Sequence, residues 1–439
     1  MSVPMRQMHL GLFLLGTGSH VAGWRMPGAV TSFQDIHAIR QMAATAERGC
    51  FDLIFMGDNL YADPGAHPSY TLRLEPLTML AALAMTTTHI GLGATVATTY
   101  SDPWSVARAF ASLDHISGGR AAWNAVTGSS AQAAPNFGRT HPNHAERYAI
   151  AAEFVDVVRG LWDGWEDDAL VADRATGLYL DPAKLHPLNH EGVHFSVKGP
   201  LNIGRAPQGR PIILQAGGSE AGLDLAARTA DVVFAVVQDF DEARGQYQAL
   251  KSRLPAHGRR PQDVAVLPGV MPVVGRTERE ALDKLAQLQG FISPGNALQL
   301  LQDRLGMDLS GRDMDAPLGD LPLHDGGHGF ARTLLSKARR DNLTLRDVYN
   351  LLGAARGHWV LCGAAEQVAD TLQHWFEGGA ADGFNVMPSH FPGGMDDFVD
   401  LVVPILQARG LFRTRYEGRT LRDLLGLARP ERLGGRAMA

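Results

Sequence analysis

The feature that most constrains the fold is an alternation of short apolar runs with amphipathic segments along a chain of 439 residues. Eight of these runs are each followed by a helical pattern, and they predict strands at 8–15, 51–57, 90–98, 120–127, 211–217, 231–237, 263–275 and 382–388. Nearly continuous apolar strands that alternate with helices are typical of a parallel sheet buried on both faces. Eight units favour an α/β fold of the (β/α)8 TIM-barrel type, although an open doubly wound sheet has the same local pattern.

The whole chain, 1–439, is predicted to form a single barrel domain with two insertions. The first, at about 166–210, is rich in loop residues, and its part "GVHFSVKGPLNIGRAPQGR" indicates a small hairpin. The second, at about 290–360, contains the Gly- and Asp-rich stretch "GMDLSGRDMDAPLGDLPLHDGGHG" and then a helical pattern near 331–353. The second insertion is a candidate lid over the site, because long loops in compact domains tend to be functional.

Charge and cysteine content exclude several classes of protein. The net charge of −6 and the lack of a basic block argue against a nucleic-acid partner. The two cysteines, Cys50 and Cys362, lie far apart, which fits a reducing cytosol and argues against a disulfide scaffold. No apolar run reaches the roughly 18 residues of a membrane span, and the N-terminus lacks the longer apolar core of a signal peptide. The sequence therefore predicts a cytoplasmic protein without a membrane partner.

The end of the first predicted strand resembles a dinucleotide-binding turn but departs from it. Gly16-Thr17-Gly18 lacks the third glycine that this turn requires, because position 21 is valine. The residues at 23–28 include Pro and two Gly, which cannot continue a helix, and the next helical pattern begins near Ser32. A nicotinamide-binding Rossmann fold is therefore disfavoured, and the long loop after the first strand becomes a candidate part of the site.

Polar residues follow the predicted strands, at the end of a barrel where catalysis occurs. Few of them are carboxylates, which disfavours a glycosidase with its pair of acidic residues. The stretch "AGGSEAG" (216–222) places glycine and serine at a helix start, which suits a phosphate but also fits an ordinary helix cap. His144 and Tyr148 lie four residues apart on one face of the next long helix, where they either contact a ligand or cover the surface.

No metal site is predicted. The histidines of "HPLNHEGVH" (186–194) are separated by Pro187 and Gly192, which prevent the continuous helix that would align them. The sequence also contains neither a nucleophile elbow of the GxSxG type nor a phosphate-binding P-loop.

Several long motifs, in this order, resemble the bacterial-luciferase-like flavin monooxygenases. They are "ASLDHISGGRAAWNAVTGSS" (111–130), "NFGRTHPNHAERYAIAAEFVDVVRGLWDGWEDDA" (136–169), "FSVKGPLNIGRAPQGRPIILQAGGSEAG" (195–222) and "VVPILQARGLFRTRYEGRTLRDLLGL" (402–427). The nearest resemblance is to the branch that contains nitrilotriacetate, dibenzothiophene-sulfone and long-chain alkane monooxygenases. With further shared stretches near the N-terminus, the resemblance covers nearly the whole chain.

The resemblance implies a TIM barrel with insertions and an FMNH2-dependent two-component monooxygenase. Such an enzyme receives reduced FMN from a separate NAD(P)H:flavin reductase and reacts it with O2, and the resulting flavin C4a-(hydro)peroxide oxygenates a small organic substrate. A homodimer or homotetramer is also implied. Two alternatives stay open: an F420-dependent hydride-transfer oxidoreductase on the same barrel, and a flavin-binding protein without turnover.

The resemblance also implies site residues. The implied flavin contacts are Asp58, Thr95, Thr98, Gly128, Ser129, His144, Tyr148, Gly217, Gly218, Ser219 and Glu220. Thr95 falls where related barrels often have a strained non-prolyl cis peptide bond. His20 is the candidate catalytic residue. Thr17, and the lack of histidine in 291–301, depart from the long-chain alkane enzyme, so the identity of the substrate stays open.

Overall fold

The computed structural model describes residues 6–63, 67–293, 308–309, 311–318, 338–355 and 357–432, together with positions 295, 298, 301–302 and 335. Much of the Gly- and Asp-rich stretch at 306–329 and part of the predicted helical pattern near 331–353 lie outside these residues.

Eight parallel strands close into a barrel. In chain order the strands of the described chain are β1 (His9–Phe13), β2 (Leu53–Met56), β3 (Gly91–Ala97), β4 (Ala121–Val126), β5 (His190–Glu191), β6 (Ser196–Val197), β7 (Ile212–Gln215), β8 (Val232–Ala235), β9 (Ala265–Gly275), β10 (Trp359–Ala364) and β11 (Gly383–Val386). The ring runs β9-β11-β1-β2-β3-β4-β7-β8, and β8 pairs with β9 to close it. The eight predicted strands are confirmed, and the closure excludes the open sheet.

The structure contains one parallel strand outside the predicted ring of eight. β10 runs parallel to the second half of β9, from the pair Trp359–Val270 to the pair Ala364–Gly275. β9 is eleven residues long, so its first half completes the barrel while its second half leaves an edge that β10 covers. The predicted end of the second insertion, at 360, therefore falls inside a strand. The helix Ala365–Glu377 then leads from β10 to β11.

Most helices begin at a side chain that accepts a hydrogen bond from a backbone N–H. The helical segments are Ile36–Arg48, Pro68–Thr71, Pro76–Ala84, Pro103–Ser117, His144–Trp162, Glu220–Thr229, Phe240–Lys251, Glu278–Gly290, Leu345–Ala355, Ala365–Glu377, Gly393–Asp397, Phe398–Val402 (a π-helical turn), Val403–Ala408 and Leu421–Leu424. Short 3-10 turns lie at Gly23–Arg25, Ala131–Phe137, Pro182–Lys184, Leu254–His257 and Pro261–Asp263. Among the described helices, none has both the length and the apolar character to cross a bilayer.

The first helix begins later than its sequence pattern predicts. Asp35 caps it by accepting hydrogen bonds from the N–H groups of His37 and Ala38, at 3.0 and 3.1 Å. The Ser32 hydroxyl instead accepts from the Gln34 N–H in a turn before the helix. Because the carboxylate reaches two N–H groups at once, it is the stronger cap, and the loop after β1 is longer than predicted.

Aromatic rings fill the centre of the barrel. The ring centroids of Phe13 and Phe55 lie 4.9 Å apart, and each lies 5.5 Å from that of Phe234. His358 stacks on Phe234 at 4.8 Å with nearly parallel planes. We call these four residues the aromatic plug. Because the plug leaves the interior packed, a ligand is expected at the mouth of the barrel.

The first insertion contains a small hairpin, as predicted, but its first strand lies just before the stretch 192–210 in which the hairpin was expected. β5 and β6 pair antiparallel, with His190 opposite Val197. Glu153 binds the hairpin by accepting from the His194 and Phe195 N–H groups, and His190 Nε2 lies 3.0 Å from its carboxylate. His186 pairs with a different carboxylate, on Glu166.

Candidate active site

The loop after β1 is bonded to the end of β11. The Ser19 N–H donates to the Pro388 carbonyl at 2.8 Å, and the His20 N–H donates to the Ser389 carbonyl at 3.2 Å. Gly18 has a φ of +91°, and a Cβ at this position would lie 2.2 Å from the Ser389 carbonyl oxygen. Only glycine fits there, and its close approach places His20 at the barrel mouth.

The hydrogen bonds of His20 determine its protonation. Its Nδ1 accepts from the Ala22 N–H at 3.1 Å, so the neutral ring carries its proton on Nε2. Burial, with a smaller contribution from His390, lowers the pKa of His20 to about 3. Nε2 is buried without a partner in the described part of the chain. His20 is therefore a neutral hydrogen-bond donor at physiological pH, and its N–H is available to a ligand.

A short helix at Pro68–Thr71 connects the loops after β1 and β2. The Ser69 hydroxyl accepts from the Thr17 N–H at 3.1 Å and lies 2.5 Å from the Thr17 hydroxyl. His67 Nε2 donates to the Ser19 carbonyl at 3.2 Å. No sequence motif predicts this contact, because it joins residues about fifty positions apart.

Asp58 follows β2 and lies beside a buried arginine. Arg73 Nη1 is 3.8 Å from Asp58 Oδ1 and donates to the Gly57 carbonyl at 2.8 Å. Burial raises the pKa of Asp58 to about 6, although Arg73 opposes the shift. The carboxyl group at this position therefore changes its charge close to neutral pH.

The raised pKa of Asp58 predicts a pH-dependent stability. The unfolded chain loses this proton near its usual pKa of 3.8, while the folded chain holds it until about pH 6, so stability is full below the lower value and falls as pH rises through the higher one. We expect Asp58→Asn to raise the free energy of unfolding at about pH 8 by about 1–3 kcal/mol, with little change near pH 4. Denaturant titrations at both pH values test this.

The control for that prediction is Asp283→Asn, whose carboxylate is 63% exposed and pairs with Arg279 on the surface. We expect it to change stability by less than about 0.5 kcal/mol at either pH. A destabilised Asp58→Asn variant at the higher pH would contradict the assigned burial effect.

Thr95 and Asn124 lie opposite each other on β3 and β4. Asn124 Nδ2 donates to Thr95 Oγ1 at 2.8 Å. Asn124 Oδ1 is buried without a partner among the described atoms. An unused amide oxygen inside the barrel wall is an acceptor available for an N–H of a ligand.

The expectation of a strained cis peptide bond at Thr95 is wrong. The described chain has cis bonds only at Gly199–Pro200 and Phe391–Pro392, both of them before proline. The pairing of β3 with β4 runs without interruption from Leu92 to Ala97, and such a regular ladder requires trans peptide bonds.

The remaining predicted residues after β3 and β4 line the mouth in different ways. The Thr98 hydroxyl is buried and turns back to the Val126 carbonyl at 3.3 Å. Gly128 has a φ of +64°, and a Cβ there would lie 3.5 Å from the Ala97 Cβ. Ser129 is exposed at the rim.

Three residues beyond the predicted set form a hydrogen-bonded chain at this rim. Arg147 Nη1 donates to His141 Nε2 at 3.0 Å, and His141 Nδ1 lies 2.7 Å from the Tyr100 hydroxyl. Arginine is always a donor, so Nδ1 carries the proton and donates to Tyr100. The hydrogen of the Tyr100 hydroxyl is then available to another acceptor. The only sign of this chain in the sequence is that polar residues, His141 and Arg147, lie on either side of the start of the helix His144–Trp162.

The turn after β7 packs against the helix His144–Trp162. The Ser219 hydroxyl caps the helix Glu220–Thr229 by accepting from the Gly222 N–H at 3.2 Å, and it donates to the Tyr148 hydroxyl at 3.3 Å. The rings of His144 and Tyr148 lie 4.8 Å apart. A Cβ at Gly217 would lie only 3.1 Å from the Tyr148 hydroxyl. The structure therefore brings His144, Tyr148, Gly217 and Ser219 together.

Two predicted residues of this turn have different surroundings. A Cβ at Gly218 would meet nothing within 4 Å, so this position opens onto free space. The Glu220 carboxylate is 83% exposed and pairs with Arg253 at 2.5 Å. Its side chain is engaged at the surface, so only the Glu220 backbone N–H, in the first turn of the helix, is left as an anion contact.

The closed ring of eight parallel strands and the polar mouth define a (β/α)8-barrel enzyme. Residues 8–382 match the family model described as luciferase-like monooxygenase. The chain belongs to this family.

Three similar proteins support the assignment. The chain is 46% identical to N-acetyl-S-(2-succino)cysteine monooxygenase of Bacillus subtilis, over 98% of this chain and 99% of that one. It is 45% identical to nitrilotriacetate monooxygenase component A of Aminobacter aminovorans, over 97% and 98% of the two chains. A crystal structure of long-chain alkane monooxygenase superposes with a TM-score of 0.83 at 31% identity, over 96% of each chain. The resemblance found in the sequence is confirmed, and the chain is a flavin-dependent monooxygenase.

Proposed function

We propose that this chain is the oxygenating component of a two-component system. It binds reduced FMN that a separate NAD(P)H:flavin reductase supplies, and it transfers one oxygen atom of O2 to a small organic substrate. The observation that carries the proposal is the hydrogen-bonded pair of Ser219 and Tyr148 beside Gly217, at the mouth of a luciferase-like barrel. A relative whose name is nitrilotriacetate monooxygenase component A supports the division into two components.

The turn after β7 fits the phosphate of the flavin. Ser219 Oγ already accepts from Gly222 and donates to Tyr148, so the hydrogen of the Tyr148 hydroxyl is available to an anion. The first N–H groups of the helix Glu220–Thr229 have no acceptor within the helix, and the helix dipole favours a negative charge there. The open space at Gly218 gives the anion access to both.

The barrel mouth fits the flavin ring. Asn124 Oδ1 is an unused acceptor and His20 Nε2 an unused donor in the described part of the site, and an isoalloxazine ring carries both N–H and carbonyl groups. The aromatic plug lies beneath and offers an apolar floor. When bound, reduced flavin supplies the electrons that activate O2. The protein's part is to orient the ring and substrate and to keep water away.

His20 acts in this proposal as a neutral donor and not as an acid or base. Its pKa of about 3 keeps the ring uncharged at physiological pH. The Nε2 proton can therefore orient a polar oxygen at the mouth, but the ring does not take up a proton there. Asp58, with a pKa of about 6, is a group of this site that can hold or release a proton close to neutral pH.

The second insertion is proposed to cover the mouth. Arg25 Nη1 donates to the Phe291 carbonyl at 2.5 Å, and its guanidinium lies 5.0 Å from the Phe291 ring centroid. The Val21 N–H donates to the Gly353 carbonyl at 2.8 Å. Both contacts join the second insertion to the loop that carries His20. Closure of the insertion over the mouth would therefore also order this loop.

The flavin contacts of Ser219 and Tyr148 can be tested separately from stability. We expect Tyr148→Phe and Ser219→Ala each to weaken binding of reduced FMN by about 1–2 kcal/mol. Tyr148→Phe removes the hydroxyl that would donate to the phosphate, and Ser219→Ala removes the hydroxyl that donates to Tyr148 and orients it. Anaerobic fluorescence titration measures this. Thr277→Ala is the matched control, because Thr277 caps another helix in the same way, by accepting from the Glu280 N–H. It should lose similar stability and keep flavin affinity. Unchanged affinity in both site variants would remove this turn from the flavin site.

The proposed function is tested by anaerobic titration with FMN, with reduced FMN and with F420, followed by mixing with O2. We expect reduced FMN to bind more tightly than FMN, and the protein to slow the release of H2O2 relative to free reduced flavin. Binding of F420 alone would support the hydride-transfer alternative. Tight flavin binding with no oxygenated product from any substrate, in the presence of a reductase, would support a non-catalytic flavin-binding protein.

The proposal extends to a cytoplasmic location and to a homodimer or homotetramer, which fractionation and light scattering test. The substrate is selected by the loops at 16–28, 59–74 and 290–360, parts of which lie outside the described residues.

A further inference from the structure

A cavity of about 320 Å³ lies at the end of the barrel opposite to the proposed flavin site. It opens where β7, β8 and β9 begin, and the C-terminal segment closes one side. Six arginines line it, from five separate parts of the chain: Arg159, Arg210, Arg228, Arg259, Arg260 and Arg422. Residues 210 and 217 flank opposite ends of β7, so this cavity is separate from the turn at Ser219.

Four of these arginines pair with carboxylates. Arg210 and Asp163 lie 2.5 Å apart, and both Asp156 oxygens lie 2.7 Å from Arg228 Nη1. The remaining two pairs are Arg260 with Asp263, at 2.8 Å, and Arg422 with Asp231, at 3.2 Å. Each of these pairs is close to neutral overall.

Within the described part of the chain, neither Arg159 nor Arg259 forms an ion pair with a carboxylate. Arg159 forms no hydrogen bond or ion pair with any residue that the structure describes. Arg259 donates only to carbonyl oxygens, those of residues 227, 230 and 263, at 2.6–3.1 Å. Burial lowers the pKa of both side chains, and the neighbouring Arg210 lowers the pKa of Arg159 further. The nearby carboxylate of Asp231 opposes the shift at both arginines without forming an ion pair with either. Two guanidinium groups of the cavity are thus left without an ion pair among the residues that the structure describes.

A further donor in the wall is also unused. Arg422 is 6% exposed, and its Nε is buried without an acceptor among the described residues. A buried guanidinium N–H without a partner is costly, and the usual solutions are a bound water or an anion. An anion in the cavity would compensate the charges of Arg159 and Arg259.

We propose that this cavity binds a small anion with two or more negative charges. Arginine forks match the oxygens of phosphate and carboxylate groups, and the volume exceeds that of a single phosphate, so phosphate compounds and polycarboxylates both fit the chemistry. The bound anion would join the C-terminal segment around Arg422 to the helix that carries Arg159, and it would stabilise the folded chain.

The test is isothermal titration of the purified full chain with inorganic phosphate and, in a second arm, with citrate, in chloride buffers of constant ionic strength. We expect saturable binding of at least one of them with one site per chain. Arg159→Gln should weaken it by about ten-fold or more, because one doubly bonded guanidinium is lost. The relative affinities of the two probes distinguish a phosphate site from a polycarboxylate site.

Two control variants separate this site from others. Arg279→Gln removes an arginine that is 84% exposed, and it should bind as the wild type does. Ser219→Ala changes the proposed flavin turn and should also leave the binding intact. Because Arg159 bonds to no described residue, Arg159→Gln should fold normally and unfold in chloride at or above the wild-type temperature. The wild type and both control variants should gain thermal stability from the anion, whereas Arg159→Gln should gain much less.

Three outcomes would overturn the proposal. They are no saturable binding of either probe, equal binding by Arg159→Gln and the wild type, and binding that only Ser219→Ala abolishes. The last result would place the anion in the flavin site.

Discussion

Alanine at position 18 is expected to destabilise the protein by about 2–4 kcal/mol and to displace His20 from the barrel mouth. Gly18 has a φ of +91°, which costs an L-residue about 1–2 kcal/mol. A Cβ there would also lie 2.2 Å from the Ser389 carbonyl oxygen and 2.5 Å from the His390 Cα. These are backbone atoms, so the loop has to move away from β11 to relieve the contact.

The chain offers a matched control for the steric part of this effect. Gly28 lies in the same loop with a φ of +74°, and a Cβ there would meet nothing within 4 Å. Gly28→Ala therefore introduces a similar backbone penalty without the clash, and it should cost only about 1 kcal/mol. The difference between the two variants measures the close approach of the loop to Ser389.

Denaturant unfolding gives the stability of both variants, and the release of H2O2 from the reduced-flavin complex reports on the site. We expect Gly18→Ala to release H2O2 faster than the wild type and to lose product formation by about a hundred-fold, because displacements of about 1 Å have such effects. Equal behaviour of the two variants would show that the loop position is not set by this contact.

Arg120→Met is expected to lower the free energy of unfolding by about 3–5 kcal/mol. Arg120 is 3% exposed and immediately precedes β4. It donates to the carbonyl oxygens of residues 84, 87, 90 and 117, at 2.8–3.1 Å, and to the Thr87 hydroxyl at 2.8 Å. Methionine fills most of the volume, but it leaves four buried carbonyl groups without a donor.

The surface variant Arg279→Met is the control for the loss of an arginine. Its guanidinium is 84% exposed and pairs with Asp283 one helical turn away, so its loss should cost less than about 0.5 kcal/mol. Chemical denaturation with circular dichroism compares the two. A loss of less than about 1 kcal/mol in Arg120→Met would mean that water replaces the guanidinium, which the burial of this site argues against.

The barrel strands were predictable because each is apolar on both faces, a pattern that few other folds require. β10 also carries an apolar run, Trp359–Cys362, and the helix that follows has Val368, Leu372, Trp375 and Phe376 at helical spacing, so both elements were accessible to sequence analysis. The sequence does not show that β10 lies outside the ring. Its place at one edge of β9, where five of its six residues are only half-buried, depends on where β9 extends beyond the ring.

Part of the candidate site follows from local rules. His144 and Tyr148 share a face because a helix repeats every 3.6 residues, and Ser219 caps a helix because its hydroxyl reaches an N–H three residues on. The direction of Glu220 does not follow from such rules. Its carboxylate turns to Arg253, a residue 33 positions away on another helix.

By itself, the sequence determined the strand–helix alternation, the caps and the family resemblance, because these depend on residues close together in the chain or on long contiguous motifs. Tertiary structure alone decided which polar atoms are left unused. Among the described residues, the unpaired Nε2 of His20 lies where the loop after β1 meets the end of β11, and the unpaired Oδ1 of Asn124 lies on β4. The cavity around Arg159 lies where distant segments meet. Whether a buried group has a partner depends on contacts across hundreds of residues, and no local pattern records them.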